Sequence, residues 1–473
     1  MEQHDRDEWI RTAARYSKTN GELLTRLMDS PALRQRTWSS DTLSPFMQNY
    51  EFGVNPWPVI ISRGIVDAFT RYVQSFPDLL FKLVDLCFRD DPAKFESWLG
   101  VPAITLELFR HKGVDTKSLL ARHDTVFCGG DIKVVEVNAG SGIGGGQHDW
   151  LCRTVSESLA LIGPEAARCE YRSIVSRMLA TIVKTATRND PGKSRVNTAV
   201  FRYYFDRDHE KEWVDDIGNI YRDLLEKLGL EGKFFSFSNF DAFTFSASGE
   251  VFYESQPIDC ILLSLPEHMT VPSYHRMRFI ASWVAGKLVM PDNPVSTLYG
   301  NKNLLALAHD QRVQQQLGDE ERQTIEKYIP WACRLTDADV TFRGETRNAI
   351  ALARERKNEL VVKKAVSAQG RDVFVGKFCS EDRWAALIPQ LAQEGKCLLQ
   401  EYCPPDQMLA CTADGELAAF DAVWGIFEFE NAYGGSFMRG SLANQGDGVI
   451  NSAKGALEFL VFEEIARKAK ILL

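Results

Sequence analysis

The chain has 473 residues, 45% hydrophobic and 25% charged, with 55 Lys+Arg against 64 Asp+Glu and a formal net charge of -9. At about 150 residues per domain this length suggests roughly three lobes, and the acidic balance argues against a general nucleic-acid or anionic-membrane binder. Disulfide scaffold, zinc ribbon, collagen and disorder are excluded: the ten cysteines are scattered with no CxxC pair, and no apolar run approaches the roughly 20 residues that cross a bilayer.

The start, MEQHDRDEW, lacks the basic-then-apolar pattern of a secretory signal. Together with reduced thiols this predicts a cytoplasmic globular enzyme. Residues 1–118 read as a helical region, with apolar residues at three- and four-residue steps over Trp9–Met28 and Ile61–Leu86 around the break SPFMQNYEFGVNPWP. From Arg122 the period becomes two: RHDTVF, CGGD and IKVVEVN form a hairpin that runs into GSGIGGG. Residues 151–190 return to helix, apart from a break at Gly163-Pro164. Between Asn197 and Leu265, strand-like runs flank the charged helix EWVDDIGNIYRDLLEKLGL, giving an α/β lobe over 119–291. After Pro291-Asp292-Asn293-Pro294, a helical stretch to Tyr328 is followed by strands at ELVVKKAV, DVFVGK, CLLQEYC, QMLACTA and ELAAFDAVWGIF, within a third segment, 292–473.

The hairpin carries the most chemistry. Arg122 and Asp124 share one strand face, and Glu136 and Asn138 share one face of the next strand. For all four to meet, the register must pair positions whose numbers sum to an even value. A two-residue Gly129-Gly130 turn gives an odd sum and turns Asp124 away from Glu136. An odd loop with a left-handed glycine bulge is therefore expected. Two carboxylates and an amide oxygen are hard ligands suited to Mg²⁺ shared with phosphates, and Arg122 would offset phosphoryl charge. The competing reading of the glycines at 140, 142 and 145 is a dinucleotide fingerprint and a nicotinamide-dependent oxidoreductase. It lacks the second strand ending in an acid that this unit requires. His148, just beyond the loop, reads as structural rather than as a base.

Further along, Lys302 opens a helix, and Lys363 sits in a strand that leads through SAQGRD back into VFVGK. Adjacent Lys363 and Lys364 point to opposite faces, so only one can enter a site. Backbone at Gln400–Tyr402 is expected to read a base edge.

This order of motifs resembles the circularly permuted ATP-grasp ligases, with RHD…VEVNAGS similar to the metal-binding segment of glutathionylspermidine synthetase and related glutathione synthetases. The resemblance covers the chain from about residue 120 onward. It implies a circularly permuted α/β ATP-grasp fold and an ATP- and Mg²⁺-dependent carboxylate–amine ligase acting on amino acids, small peptides or polyamines. The alternative within the same fold is a nucleotide-binding pseudoenzyme or regulatory partner. By that resemblance Arg122 and Arg439 act on the phosphoryl group, Asp124, Glu136 and Asn138 hold metal, and Ser141 binds substrate. Lys302, Lys363, Gln400, Glu401, Tyr402 and Asn451 would hold the nucleotide. No nucleic-acid or membrane partner is expected, and a homodimer is compatible with the sequence. Three positions depart from the family pattern: SAQGRD has one glycine, Lys364 stands where proline is common, and CILLSL lacks an arginine after Asp259.

Overall fold

The helix Arg63–Phe88 places Val66, Phe69, Val73, Phe76, Leu80 and Leu83 at three- and four-residue steps, and all six are buried. Ser62 caps its N-terminus by accepting from the Ile65 N–H. The strand Val59–Ile61 (β1) precedes it, so the helix begins two residues later than the periodicity predicts.

The computed structural model describes residues 3–38, 41, 43–202, 208–265, 269–365 and 372–465. The expected phosphate loop SAQGRD, apart from Asp372, lies outside them. The strands that follow β1 are β2 (Leu120–Cys128), β3 (Asp131–Ala139), β4 (Glu170–Tyr171), β5 (Thr198–Phe201), β6 (Phe234–Phe237), and β7–β9 (Phe243–Phe245, Val251–Tyr253 and Gln256–Ile258). Then come β10 (Cys260–Leu262), β11 (Ala332–Arg334), β12 (Asp339–Phe342), β13 (Glu345–Asn348), β14 (Leu360–Lys364), β15 (Val373–Val375) and β16 (Cys397–Glu401). The last four are β17 (Gln407–Cys411), β18 (Leu417–Phe429), β19 (Ala432–Leu442) and β20 (Leu457–Glu463). β4 interrupts the helix expected over 151–190, which divides into Cys152–Leu159 and Ile174–Asn189.

The largest sheet runs β1-β20-β19-β18-β2-β3, with β4 beside β20 and β17 beside β18. It draws strands from all three segments of the chain. β18 is long enough to serve two neighbours on one edge: Leu417–Asp421 pairs with β17 and Trp424–Phe429 with β2. One face of this sheet packs on the helix 63–88 through Phe127, Val134, Trp424, Ile426 and Met438. A second sheet, β11-β16-β14-β15, is antiparallel and is backed by helices Ala349–Glu355 and Glu381–Glu394. Leu360 and Val362 of β14 enter that backing core, so Val361 and Lys363 face the other way, toward the large sheet. A third sheet, β10-β5-β6, is parallel. The whole is a mixed α/β architecture.

The hairpin corrects the expectation about its loop. Cys128 pairs with Asp131 around a two-residue turn, with Gly129 at φ 61 and Gly130 at φ 86. Both N–H groups of that turn donate to the Asp406 carboxylate, at 2.7 and 2.8 Å. Positive φ at both central residues is the geometry whose twist suits a hairpin. The parity change comes instead from a bulge inside β3. Thr125 pairs with Val134 while Asp124 pairs with Glu136, leaving Val135 as the extra residue. Core-facing positions in β3 accordingly switch from Ile132 and Val134 to Val137. Glu136 and Asn138 thereby join Arg122 and Asp124 on the opposite face.

Candidate functional site

Each expected residue is delivered by an element already described. β2 and β3 present Arg122, Asp124, Glu136 and Asn138, and β19 presents Arg439, one strand beyond β18. Asp124 is 6% exposed and is gripped from three sides. Arg122 donates from Nε to Oδ1 (2.8 Å) and from Nη2 to Oδ2 (3.0 Å). Arg439 reaches Oδ2 at 2.8 Å, and the Asn138 amide donates to the same oxygen at 3.3 Å. Burial alone would raise the Asp124 carboxyl, but the two guanidinium groups outweigh it and hold the group well below the usual carboxylate range. Lys302, 4% exposed, pairs with Glu136 Oε1 at 3.1 Å.

Room for this arrangement comes from a glycine in mid-strand. A Cβ on Gly425 would lie 2.4 Å from the Phe437 ring and 3.0 Å from Arg122 Cδ. Arg122 and Arg439 both sit over the Phe437 ring, each 5.5 Å from its centroid. We expect Gly425→Ala to cost about 1–3 kcal/mol by overpacking and, for an anionic ligand of this cleft such as a nucleotide, to weaken binding at least tenfold by displacing Arg122. Denaturant titration and a binding isotherm on the same sample check both effects.

Across the cleft, Lys363 Nζ donates to Gln400 Oε1 and to the Val135 carbonyl, both at 2.8 Å. The bulge that sets the register thus also supplies a lysine acceptor on the facing sheet. Lys364 takes the outward face and meets Asp372 and Glu394. Burial pushes the Lys363 ammonium down to about 8. An anionic ligand in this cleft would favour its charged form and raise this value again. The affinity for such a ligand should therefore fall as pH rises through 8, and its binding just above pH 8 should take up a proton. Calorimetry in two buffers of different ionisation enthalpy reads that uptake directly.

One cleft between the two sheets is lined by Asp124, Glu136, Lys363, Gln400, Arg439 and Asn451, with Glu401 and Tyr402 at its edge and aliphatic walls from Val361, Val375 and Ile450. Lys302, Asn138 and Arg122 adjoin it through their ion pairs and hydrogen bonds. Asn451 Oδ1 accepts from the Ala453 N–H, capping the turn Ser452–Lys454. The expected base-reading N–H groups are committed elsewhere: Glu401 N–H donates to Trp331 O (2.8 Å) and Tyr402 N–H to Glu359 O (2.7 Å). What the hinge offers instead is the Gln400 side chain. Lys363 takes its oxygen, and among the described residues Nε2 is buried without a partner; Arg439 Nε is a second such donor.

Ser141 does not meet these residues directly. Its N–H and its hydroxyl both donate to Asp292, at 2.7 Å each, and Asp292 also accepts from the Leu263 N–H at 2.8 Å. Gly140, at φ 106, approaches so closely that a Cβ would lie 2.6 Å from Asp292 Oδ1. Asp292, read in the sequence only as part of a boundary, anchors the glycine loop to the third sheet. The loop follows an antiparallel strand and leads into the 3₁₀ turn Gly146–Trp150, not into a βαβ unit, so the dinucleotide reading loses its topology. His148 is fully buried and hydrogen-bonds Glu458 through Nε2 at 2.9 Å.

Sequence comparison identifies no relative: no family model matches the chain and no curated protein matches it. Structure comparison finds a likeness of fold. A glutathione synthetase-like effector from Globodera pallida, in its apo form, matches with a TM-score of 0.57 at 12% identity, over 94% of this chain and 97% of that one. The chain has a glutathione synthetase-like fold. At that identity the match speaks for the architecture alone.

Among the described residues no three or more His, Cys, Asp or Glu side chains converge as a metal centre, and no helix is long and apolar enough to cross a membrane. The donor set at Asp124, Glu136 and Asn138 nevertheless has the all-oxygen chemistry of a Mg²⁺ site completed by phosphate and water.

Proposed function

We propose that the protein is an ATP-dependent carboxylate–amine ligase of circularly permuted ATP-grasp type. The observation that carries this reading is the pair of buried, unpartnered donors, Gln400 Nε2 and Arg439 Nε, in one cleft. Arg439 and Lys363 line that cleft and Arg122 and Lys302 adjoin it, so four cations surround Asp124 and Glu136, while Glu401 at the edge is paired with Arg343. Unpaired buried donors are costly without an acceptor, and a nucleotide supplies acceptors at both ends. The glutathione synthetase-like fold supports the same reading.

Asp124, Glu136 and Asn138 would hold Mg²⁺, which neutralises charge on the β- and γ-phosphates. Gln400 would donate to the base, held between Val361, Val375 and Ile450. Lys302 and Lys363 would bind the phosphate chain, while Arg122 and Arg439 stabilise the phosphoryl group as a substrate carboxylate oxygen attacks phosphorus and ADP departs. The amine nitrogen then attacks the acyl carbon, the carbon–oxygen bond to phosphate breaks, inorganic phosphate leaves and the nitrogen gives up a proton to solvent, forming the amide. Ser141, on the loop fixed by Asp292, would contact substrate. The test is ADP release with Mg²⁺ and ATP against pools of amino acids, peptides and polyamines, followed by mass spectrometry of the product. ADP release that depends on both a carboxylate and an amine supports the ligase. Nucleotide binding without turnover for any pool assigns the chain to the pseudoenzyme class instead.

A further inference from the structure

The groups that would hold a metal are occupied by the groups that would hold phosphate. Asp124 Oδ2 accepts three hydrogen bonds, from Arg122, Arg439 and Asn138, and Oδ1 accepts one from Arg122. A carboxylate has about four lone-pair sites in all, so little of Asp124 remains open to a cation. Glu136 is held by Lys302 at 3.1 Å. Lys363, a further positive charge, reaches the neighbouring Val135 carbonyl. Four cations against Asp124 and Glu136, with Glu401 at the cleft's edge balanced by Arg343 at 2.7 Å, leave a local excess of two positive charges, at positions 4–6% exposed for Lys302, Lys363, Arg439 and Asp124. Such a field repels a free dication, and burial keeps salt from screening it.

From this we infer that the resting cleft excludes divalent cations and that the nucleotide itself opens the metal site. This deepens the ligase reading and rests on it for the identity of the anion. A polyphosphate adds several negative charges, which reverses the sign of the local field. It also gives Lys302 and Arg439 an alternative partner, so that Glu136 Oε1 and Asp124 Oδ2 are released as ligands. Metal then enters with the nucleotide or after it. Lys302 thereby acts as a positioning residue: it withholds Glu136 from metal until phosphate arrives.

The test uses Mn²⁺ as the probe, counted by its electron paramagnetic resonance signal on the full chain at pH 7, where Lys363 is charged. Without nucleotide, the wild-type protein should bind Mn²⁺ at least tenfold more weakly than with ADP present. Lys302→Met should bind Mn²⁺ without nucleotide at least tenfold more tightly than wild type, and Arg439→Met should shift in the same direction. Circular dichroism verifies that each variant is folded. Equal Mn²⁺ affinity in wild type with and without ADP overturns the inference, as does a folded Lys302→Met and Arg439→Met pair that binds Mn²⁺ no better than wild type. A parallel titration with ADP in EDTA separates the two claims. Absence of any nucleotide binding there defeats the ligase reading, while the nucleotide-free comparison of Lys302→Met with wild type still judges the masking.

Discussion

With Glu136 replaced by alanine, substrate-dependent ADP release is expected to fall by at least two orders of magnitude, the equivalent of about 3 kcal/mol of transition-state stabilisation. Of the two cleft carboxylates on β2 and β3, Glu136 is the more exposed, with 24% of its side chain accessible against 8% for Asp124. Its removal takes away a carboxylate proposed to hold the metal and breaks the ion pair with Lys302. Glu136→Gln keeps an acceptor for Lys302 but loses the charge, and should fall nearly as far. A folded Glu136→Ala protein that releases ADP at near the wild-type rate would refute the assignment.

The largest stability effect is expected on the other face of the neighbouring strand, β2. His123, between Arg122 and Asp124 in sequence, points into the core, where Nδ1 lies 2.8 Å from the Tyr72 hydroxyl and Nε2 lies 2.8 Å from Glu428. Tyr299 donates to the same carboxylate at 3.0 Å. His123 and Glu428 are both fully buried, and burial pushes the Glu428 carboxyl upward. Glu428→Ala strips His123 and Tyr299 of a shared partner and opens a cavity, a loss of about 3–5 kcal/mol. The double variant His123→Leu with Glu428→Leu should recover part of that loss, because neither polar group is then stranded. Denaturant unfolding measures both; a Glu428→Ala cost below about 1 kcal/mol rules this network out as a stabilising element.

Much of the candidate site was legible in the chain because it is carried by strands, where a two-residue spacing assigns faces. Arg122 with Asp124, Glu136 with Asn138, and the choice of one lysine from the 363–364 pair all follow from that rule. Where the register changes was not legible. Val134 and Val135 are identical residues, and nothing distinguishes the one that pairs from the one that bulges until the whole sheet is assembled. β19 and β20 were not expected either: AYGGSFMRGSL is buried along nearly all its length, so it shows no alternation, and its glycines suggest a loop. Asp292 reads as a breaker between prolines because its partners, Ser141 and Leu263, are distant in sequence. The N–H groups at Glu401 and Tyr402 looked available because their acceptors, Trp331 and Glu359, belong to segments that only the fold brings alongside.

The bond from Lys363 to the Val135 carbonyl spans the cleft between the two sheets, one of several ties between the halves of the molecule and one that lies in the cleft itself. Any parting wide enough to admit a base has to break that tether first. The breakage exposes an ammonium on one wall and a bare carbonyl on the other, so the incoming molecule meets a ready cation at the moment the jaws separate. A single side chain would in this way bear both on how far the cleft opens at rest and on what first greets an arrival.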